Sequence, residues 1–330
     1  MSIPVTVISG FLGSGKTALI NQVLKGTDLA SEEVLIIENE FGKKGFDYEL
    51  LLHSHEKIFQ MNGGCICCSL RTDSILAFSA ILEVFIDQGY PIKQVIIETS
   101  GISDPQPILQ TIIATPGIFS HFYLDSVITM VDNVYFERNL FYPEAMKQLA
   151  VADRILISEK IDSDIIQRIS TINPLADFYL FSLSEKAETI ASWVLGIHKF
   201  HQEIDRKDEL QHSHEEPHQH HNNELEHKFE ALHLEGQGAI SELILQRWLD
   251  WLMLNNPEKI FRIKGFLQIS EKEFQVETQG VNQLLQFNMT TRKAKENRNE
   301  LIIIGQDLNH RNIQQSLEKM QLTSQLGLKS

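Results

Sequence analysis

The chain has 330 residues, 42% of them hydrophobic, and a formal charge of −15, enough apolar material for ordinary buried cores in two or three domains. That acidity excludes general nucleic-acid binding and docking on anionic membranes, both of which need clustered lysine and arginine. No apolar run approaches the ~20 residues of a membrane helix, no charged leader precedes the first strand-like run, and the three cysteines fall between Cys65 and Cys68, which suits a reducing, cytoplasmic compartment.

Runs rich in Val and Ile at 3–8, 34–38, 94–98, 126–131, 154–158 and 178–181 predict strands, and helical periodicity covers 16–24, 69–87, 143–151 and 164–172. Apolar strands each followed by a helix are what a mostly parallel sheet covered on both faces requires. Residues 1–197 are therefore expected to form an α/β domain. Composition then changes: from His198 to His233 the chain carries nine of its 13 histidines with many acids and little apolar periodicity, so 198–228 reads as a solvated linker. Residues 229–330 predict a smaller α+β domain. It has a strand at 229–234, a helix at 241–254, a hairpin of 260–268 with 273–278, a strand at 301–304 and a closing helix at 309–320.

Gly10-Phe11-Leu12-Gly13-Ser14-Gly15-Lys16-Thr17 fits G-x-x-x-x-G-K-[ST] at a predicted strand-to-helix junction. Glycines let the backbone curl so that its N–H groups face phosphates, and the helix N-terminus adds positive potential. Lys16 is expected to reach the β- and γ-phosphates and the Thr17 hydroxyl to ligate Mg²⁺. Gly10, Gly13, Ser14, Gly15 and Ala18 complete the nucleotide cradle.

After the strand at 154–158 comes Glu159-Lys160-Ile161-Asp162. Asp162 is placed to accept two hydrogen bonds from the N1–H and N2–H₂ edge of guanine, a donor pair adenine lacks. The Lys160 stem would lie along the base. Glu159 stands where guanine readers usually carry Asn and offers acceptors only; an ordinary surface loop accounts for these residues equally well.

Gly63-Gly64 leads into Cys65-Ile66-Cys67-Cys68. In an extended chain Cys65 and Cys67 project to the same side, and a tight bend brings in Cys68. Three thiolates suit Zn²⁺, at about 2.3 Å, or Cu⁺, and leave a fourth position for water, a side chain or an acceptor protein. Such a position suits delivery or catalysis. Three buried small side chains and a redox thiol pair are the alternatives.

Taken in order, GFLGSGKT (10–17), NEFG (39–42), GGCICCSLR (63–71), ETSG (98–101) and ADRILISEKID (152–162) resemble the CobW family of P-loop GTPases, which is related to the HypB and UreG metallochaperones. Lys264-Gly265, Gln279-Gly280-Val281 and Gly305-Gln306 resemble that family's second domain. The resemblance implies hydrolysis of GTP to GDP with Mg²⁺ at the phosphate loop, with catalytic roles for Lys16, Thr17 and Glu98. Residues 39–42 would be a switch segment, and Glu98 would stand near the γ-phosphate and the attacking water. Cys65, Cys67 and Cys68 would hold the metal with Glu40, and Ser69 and Arg71 would touch the nucleotide. Zn²⁺ is the implied cargo, with Co²⁺ and Ni²⁺ permitted, passed to a protein acceptor. A nucleotide-dependent homodimer is a further expectation.

Glu159 departs from the family's usual Asn, and Lys43 stands where many relatives carry Glu. No arginine finger is evident, so basal hydrolysis should be slow and accelerated by metal or a partner. Two other classes remain open: a P-loop kinase or ATPase acting on a small molecule, and a metal sensor or buffer with incidental hydrolysis. His212, His214, His218, His220, His221 and His227, among Glu215, Glu216 and Glu224, either collect metal loosely or are incidental to a polar linker.

Overall fold

The computed structural model describes residues 2–41, 51–53, 56–63, 75–76, 78–87, 89–159, 162–200, 229–270, 272–293 and 298–327. The first sheet contains β1 (Ile3–Gly10), β2 (Val34–Phe41), β3 (Leu51–His53), β4 (Glu56–Gly63), β5 (Gln94–Glu98), β6 (Phe122–Val131), β7 (Arg154–Ser158) and β8 (Asp177–Phe181). Its order is β3-β4-β2-β5-β1-β6-β7-β8, and every pairing is parallel except β3 with β4.

Both faces of this sheet are buried, which is why its central strands read as continuous apolar runs. Val7, Ile37, Ile97 and Val127 pack on one side with Ile108 and Leu109 of α2 (Gln106–Ala114), Leu149 of α3 (Pro143–Val151) and Ile165 and Ile169 of α4 (Ser163–Ile172). Ile8, Ile36, Ile96 and Ile128 face the other way, onto Leu19, Ile20 and Val23 of α1 (Lys16–Gly26) and Ile190 of α5 (Ala187–Ser192).

Each expected strand forms, with β2 running on to Phe41 and β6 starting earlier, at Phe122. The β3–β4 hairpin, α2 and α5 are additions, since their segments are too short or too mixed in polarity to show a clear period. The helix expected over 69–87 is described from residue 75 and closes in a π-helical turn, Leu82–Ile86.

A second sheet, all antiparallel, is built from β9 (Phe229–Gln237), β10 (Ile260–Leu267), β11 (Val276–Val281), β12 (Leu284–Met289) and β13 (Arg298–Gln306), in the order β12-β11-β10-β13-β9. Asn282 at φ 54 makes the tight β11–β12 turn, a hairpin the sequence reading missed while placing β11 three residues early. Leu245, Trp248, Leu249 and Leu252 of α6 (Glu242–Asn255) and Ile313 and Leu317 of α7 (His310–Gly327) cover one face. No helix among the described residues is long and apolar enough to cross a membrane.

The other face of the second sheet is covered by the first domain. Phe229, Phe261, Val281, Ile302 and Ile304 join the same apolar cluster as Leu149, Val151 and Ile165. Within this seam Arg262, 1% exposed, donates from Nη1 to the Val151 carbonyl at 2.6 Å and ion-pairs with Asp153. The other Asp153 oxygen accepts the Val127 N–H at 2.8 Å. Lys264 is also buried and donates to the carbonyls of Lys199 (3.2 Å) and Phe200 (3.4 Å). Burial pushes its ammonium down to about 8, with Arg262 adding repulsion while Asp153 and Glu277 oppose the shift.

A buried ion pair is costly to break because the surviving charge has no water to return to. Arg262→Met should therefore lower the unfolding free energy by about 3–5 kcal/mol, and adding Asp153→Asn should restore part of it in urea titrations. Lys264 gives a pH signature. The unfolded chain keeps this proton up to the ordinary value of 10.5, whereas the folded chain releases it near 8. The unfolded state thus binds more protons between those values, and stability contributed by this group rises across that window. Urea midpoints measured across the window should show this rise for the native chain and lose its share in Lys264→Met.

Candidate nucleotide site

The site lies at the carboxyl ends of the parallel strands, where open α/β sheets present their loops to ligands. β1 ends at Gly10, whose φ of 140 puts it in glycine's territory; a Cβ there would sit 2.5 Å from the Met130 carbonyl oxygen and 2.7 Å from Ser14 Oγ. The chain then curls through residues 11–15, with Ser14 N–H donating to the Phe11 carbonyl at 3.1 Å. Gly13 and Gly15 both have positive φ before α1 begins at Lys16. A helix starting in this way leaves its first N–H groups facing the cleft.

Lys16 is 8% exposed, and its ammonium donates to the carbonyls of Gly10 (2.9 Å) and Phe11 (3.3 Å). Burial holds its pKa below the ordinary lysine value, and the carboxylate of Glu98 works against that shift. Thr17 Oγ1 donates to Glu98 Oε1 at 2.9 Å. Glu98 closes β5, and Glu38 on β2 is its direct register partner. With Leu12, Gly15, Lys16 and Thr17, these carboxylates line a cavity of about 640 Å³ that Gly13 and Ala18 also border. Ser14 Oγ and Thr99 Oγ1 are buried with no hydrogen-bond partner among the described residues, and a buried hydroxyl left so is unfavourable unless a ligand completes it.

The turn after Glu98 backs directly onto the loop. Thr99 N–H donates to the Ile8 carbonyl at 2.9 Å, and a Cβ on Gly101 would lie 2.6 Å from both Cα and N of Leu12. Gln148, on α3, reaches this turn from below, its Nε2 donating to the carbonyls of Gly101 (3.2 Å) and Ser103 (3.0 Å). Lys147 pairs with Asp104 at 3.1 Å. Glu38 and Gln148 were not singled out from sequence: neither belongs to a local motif, and only the sheet register and the α3 packing bring them here.

The other expected residues divide into two groups. Glu159 is exposed at φ 65, its N–H donating to the Phe181 carbonyl at 3.3 Å. Asp162 is half-buried and caps α4, accepting the Asp164 N–H at 2.9 Å. Neither borders the cavity beside Lys16. Glu40 lies on β2 two residues beyond Glu38, with Asn62 of β4 as backbone partner, and β4 ends at Gly63, at the same carboxyl end of the parallel strands as the phosphate loop. Cys65, Cys67, Cys68, Ser69, Arg71, Lys160 and the linker histidines lie outside the described residues.

Two family descriptions match the chain: "CobW/HypB/UreG, nucleotide-binding domain" over residues 4–173 and "Cobalamin synthesis protein cobW C-terminal domain" over residues 229–321. The chain is 27% identical over 288 residues to the zinc chaperone YjiA of Escherichia coli, covering 86% of this chain and 87% of that one. It is 30% identical over 232 residues to the zinc-regulated GTPase metalloprotein activator 1 of Saccharomyces cerevisiae, covering 60% of this chain and about half (52%) of the yeast protein. The crystal structure of Zn(II)-bound YjiA GTPase from E. coli superposes with a TM-score of 0.71 at 22% identity, over 97% of this chain and 99% of that one, so the two share a fold.

The Gly101–Leu12 contact predicts that Gly101→Ala displaces the loop without unfolding the sheet. Affinity for a fluorescent guanine nucleotide should fall at least tenfold while circular dichroism and the urea midpoint stay close to those of the native chain.

Proposed function

The chain belongs to the CobW/HypB/UreG family, and from that premise we propose that it binds GTP, hydrolyses it to GDP and phosphate, and couples the cycle to carrying zinc for a protein acceptor. The observation that carries the first half is the Lys16–Thr17–Glu98 constellation at the mouth of the parallel sheet. In this reading residues 1–197 do the chemistry, 198–228 link, and 229–330 form the second domain.

The phosphate-loop N–H groups and the α1 N-terminus hold the phosphates. Charged phosphate oxygens attract the Lys16 ammonium more strongly than the neutral carbonyls of Gly10 and Phe11 do, so Lys16 turns to the β- and γ-phosphates. The Thr17 hydroxyl and Glu98 carboxylate are hard oxygen donors of the kind Mg²⁺ takes, with Glu38 alongside. When bound, Mg²⁺ neutralises charge on the phosphate oxygens. Glu98 orients the water that attacks the γ-phosphorus; the bond to the β-phosphate oxygen breaks, and GDP leaves with that oxygen. Asp162 reads guanine, with Glu159 making that choice weaker than an Asn would.

Zinc is assigned to Cys65, Cys67 and Cys68 with Glu40, on the donor chemistry of thiolates and the zinc-handling names of the E. coli and yeast relatives. Co²⁺ or Ni²⁺ can enter such a set less favourably, and a nucleotide-dependent homodimer is compatible with the cycle. β2, which carries Glu38 beside the phosphate cavity, pairs in parallel with β4, and β4 leads in sequence into the segment that contains the cysteines. Coupling through them must be reciprocal: whatever GTP does to zinc affinity, zinc does to GTP affinity by the same factor.

Two measurements test this. Lys16→Ala should abolish GTP hydrolysis; a variant that turns over at the native rate would sink the assignment of chemistry to this loop. Zinc dissociation constants taken anaerobically, with the linker histidines replaced, should differ at least tenfold between Mg-GTP and Mg-GDP, about 1.4 kcal/mol of coupling. Equal constants would leave a GTPase without a metal cycle, and equal competition by ATP would argue for a kinase or ATPase.

A further inference from the structure

The second sheet brings together three metal-binding side chains that no local motif contains. β9 and β13 pair antiparallel, with Glu235 opposite Glu300 and His233 opposite Ile302. Side chains alternate across a strand: Leu232 and Leu234 fill the core with α6 and α7, so His233 and Glu235 share the opposite face with Glu300. On that face Phe229, Ala231, Ile302 and Ile304 are packed against the first domain. Farther along, the sheet emerges from the seam and His233 and Glu235 are exposed, with Glu300 half-buried.

His233 Nε2 is 2.8 Å from Glu300 Oε1 and 3.7 Å from Glu235 Oε1, and the three potential ligand atoms all lie within 4.8 Å of one another. Arg298, half exposed, ion-pairs with Glu235. Its positive charge offsets the repulsion between carboxylates that face each other across the ladder.

We propose that His233, Glu235 and Glu300 form a surface site for a divalent transition-metal ion, with zinc first and nickel or cobalt next. Imidazole nitrogen and carboxylate oxygen are both donors that zinc accepts, and three protein ligands are the number that leaves zinc an open position. The imidazole selects against calcium and magnesium. The ladder has already placed the three side chains on one face, so binding orders little further backbone. The dication takes over the charge-balancing role that Arg298 has toward Glu235, and the His233–Glu300 hydrogen bond gives way to ligation. Exposure leaves at least one position to water, so the site suits exchange rather than structural support. It lies on the second sheet and does not depend on the GTPase reading or on the cysteines.

The test uses the full chain with Cys65, Cys67 and Cys68 changed to Ser and the histidines of 201–228 changed to Gln, titrated with zinc against a chromophoric chelator. One equivalent should remain. His233→Gln or Glu300→Gln should each weaken it at least tenfold, and Arg298→Gln, which removes the competing cation, should tighten it several-fold. Crystals soaked in zinc should give an anomalous peak about 2.0–2.1 Å from His233 Nε2. The side chains are on the surface, so matched circular dichroism spectra will show that the variants fold. A background chain that binds no zinc, or His233→Gln and Glu300→Gln variants that bind it as the background does, would overturn the proposal.

Discussion

Two stretches of backbone touch at the centre of this molecule with no room between them for a methyl group. Gly101 rests on Leu12, so the turn that follows Glu98 and the loop that precedes α1 are placed as one unit. The geometry around Lys16 depends on this contact. Gly10 approaches the Met130 carbonyl as closely from the other side, which seats the loop on β6. The hydroxyl of Thr17 meets Glu98 because both elements are anchored by that pair of contacts.

From there, interactions continue outward without a break. Gln148 holds the Gly101 and Ser103 carbonyls, and its helix, α3, ends at Val151, whose carbonyl accepts from Arg262 of the second sheet. Asp153 joins the same guanidinium to the backbone of β6 at Val127. Along the neighbouring helix, Gln286 of β12 donates to the Ile113 carbonyl of α2 at 2.7 Å. A contiguous network of rigid elements is the kind of structure through which a change in the phosphate cleft can bias the placement of a distant sheet.

The buried cations serve different ends. Arg262 has a carboxylate and a carbonyl, so its charge is compensated and the seam between domains is tied at one point. Among the described residues, Lys16 and Lys264 have only neutral carbonyls as direct hydrogen-bond partners, and burial lowers the pKa of both. Incomplete compensation in the phosphate cleft is functional, since an ammonium held by weak acceptors is ready for a stronger one. At Lys264 the same arrangement fastens residues 199 and 200 to the second sheet.

What the sequence by itself determined was whatever rests on neighbours in the chain. The apolar runs of β1, β5, β6 and β7 specified a sheet buried on both faces, and the glycine spacing before Lys16 specified a curled loop at a helix start, because both are local consequences of side-chain period and backbone freedom. Tertiary structure alone decided the rest. Glu38 entered the cleft through sheet register, Gln148 through the packing of α3, and Arg262 met Asp153 across 109 residues of chain. The β11–β12 hairpin carried a legible signal in Asn282, whereas the meeting of His233 with Glu300 did not, since the ladder joins positions 67 apart. Contacts of that separation are set by which strands become neighbours, and no periodicity within a segment records that choice.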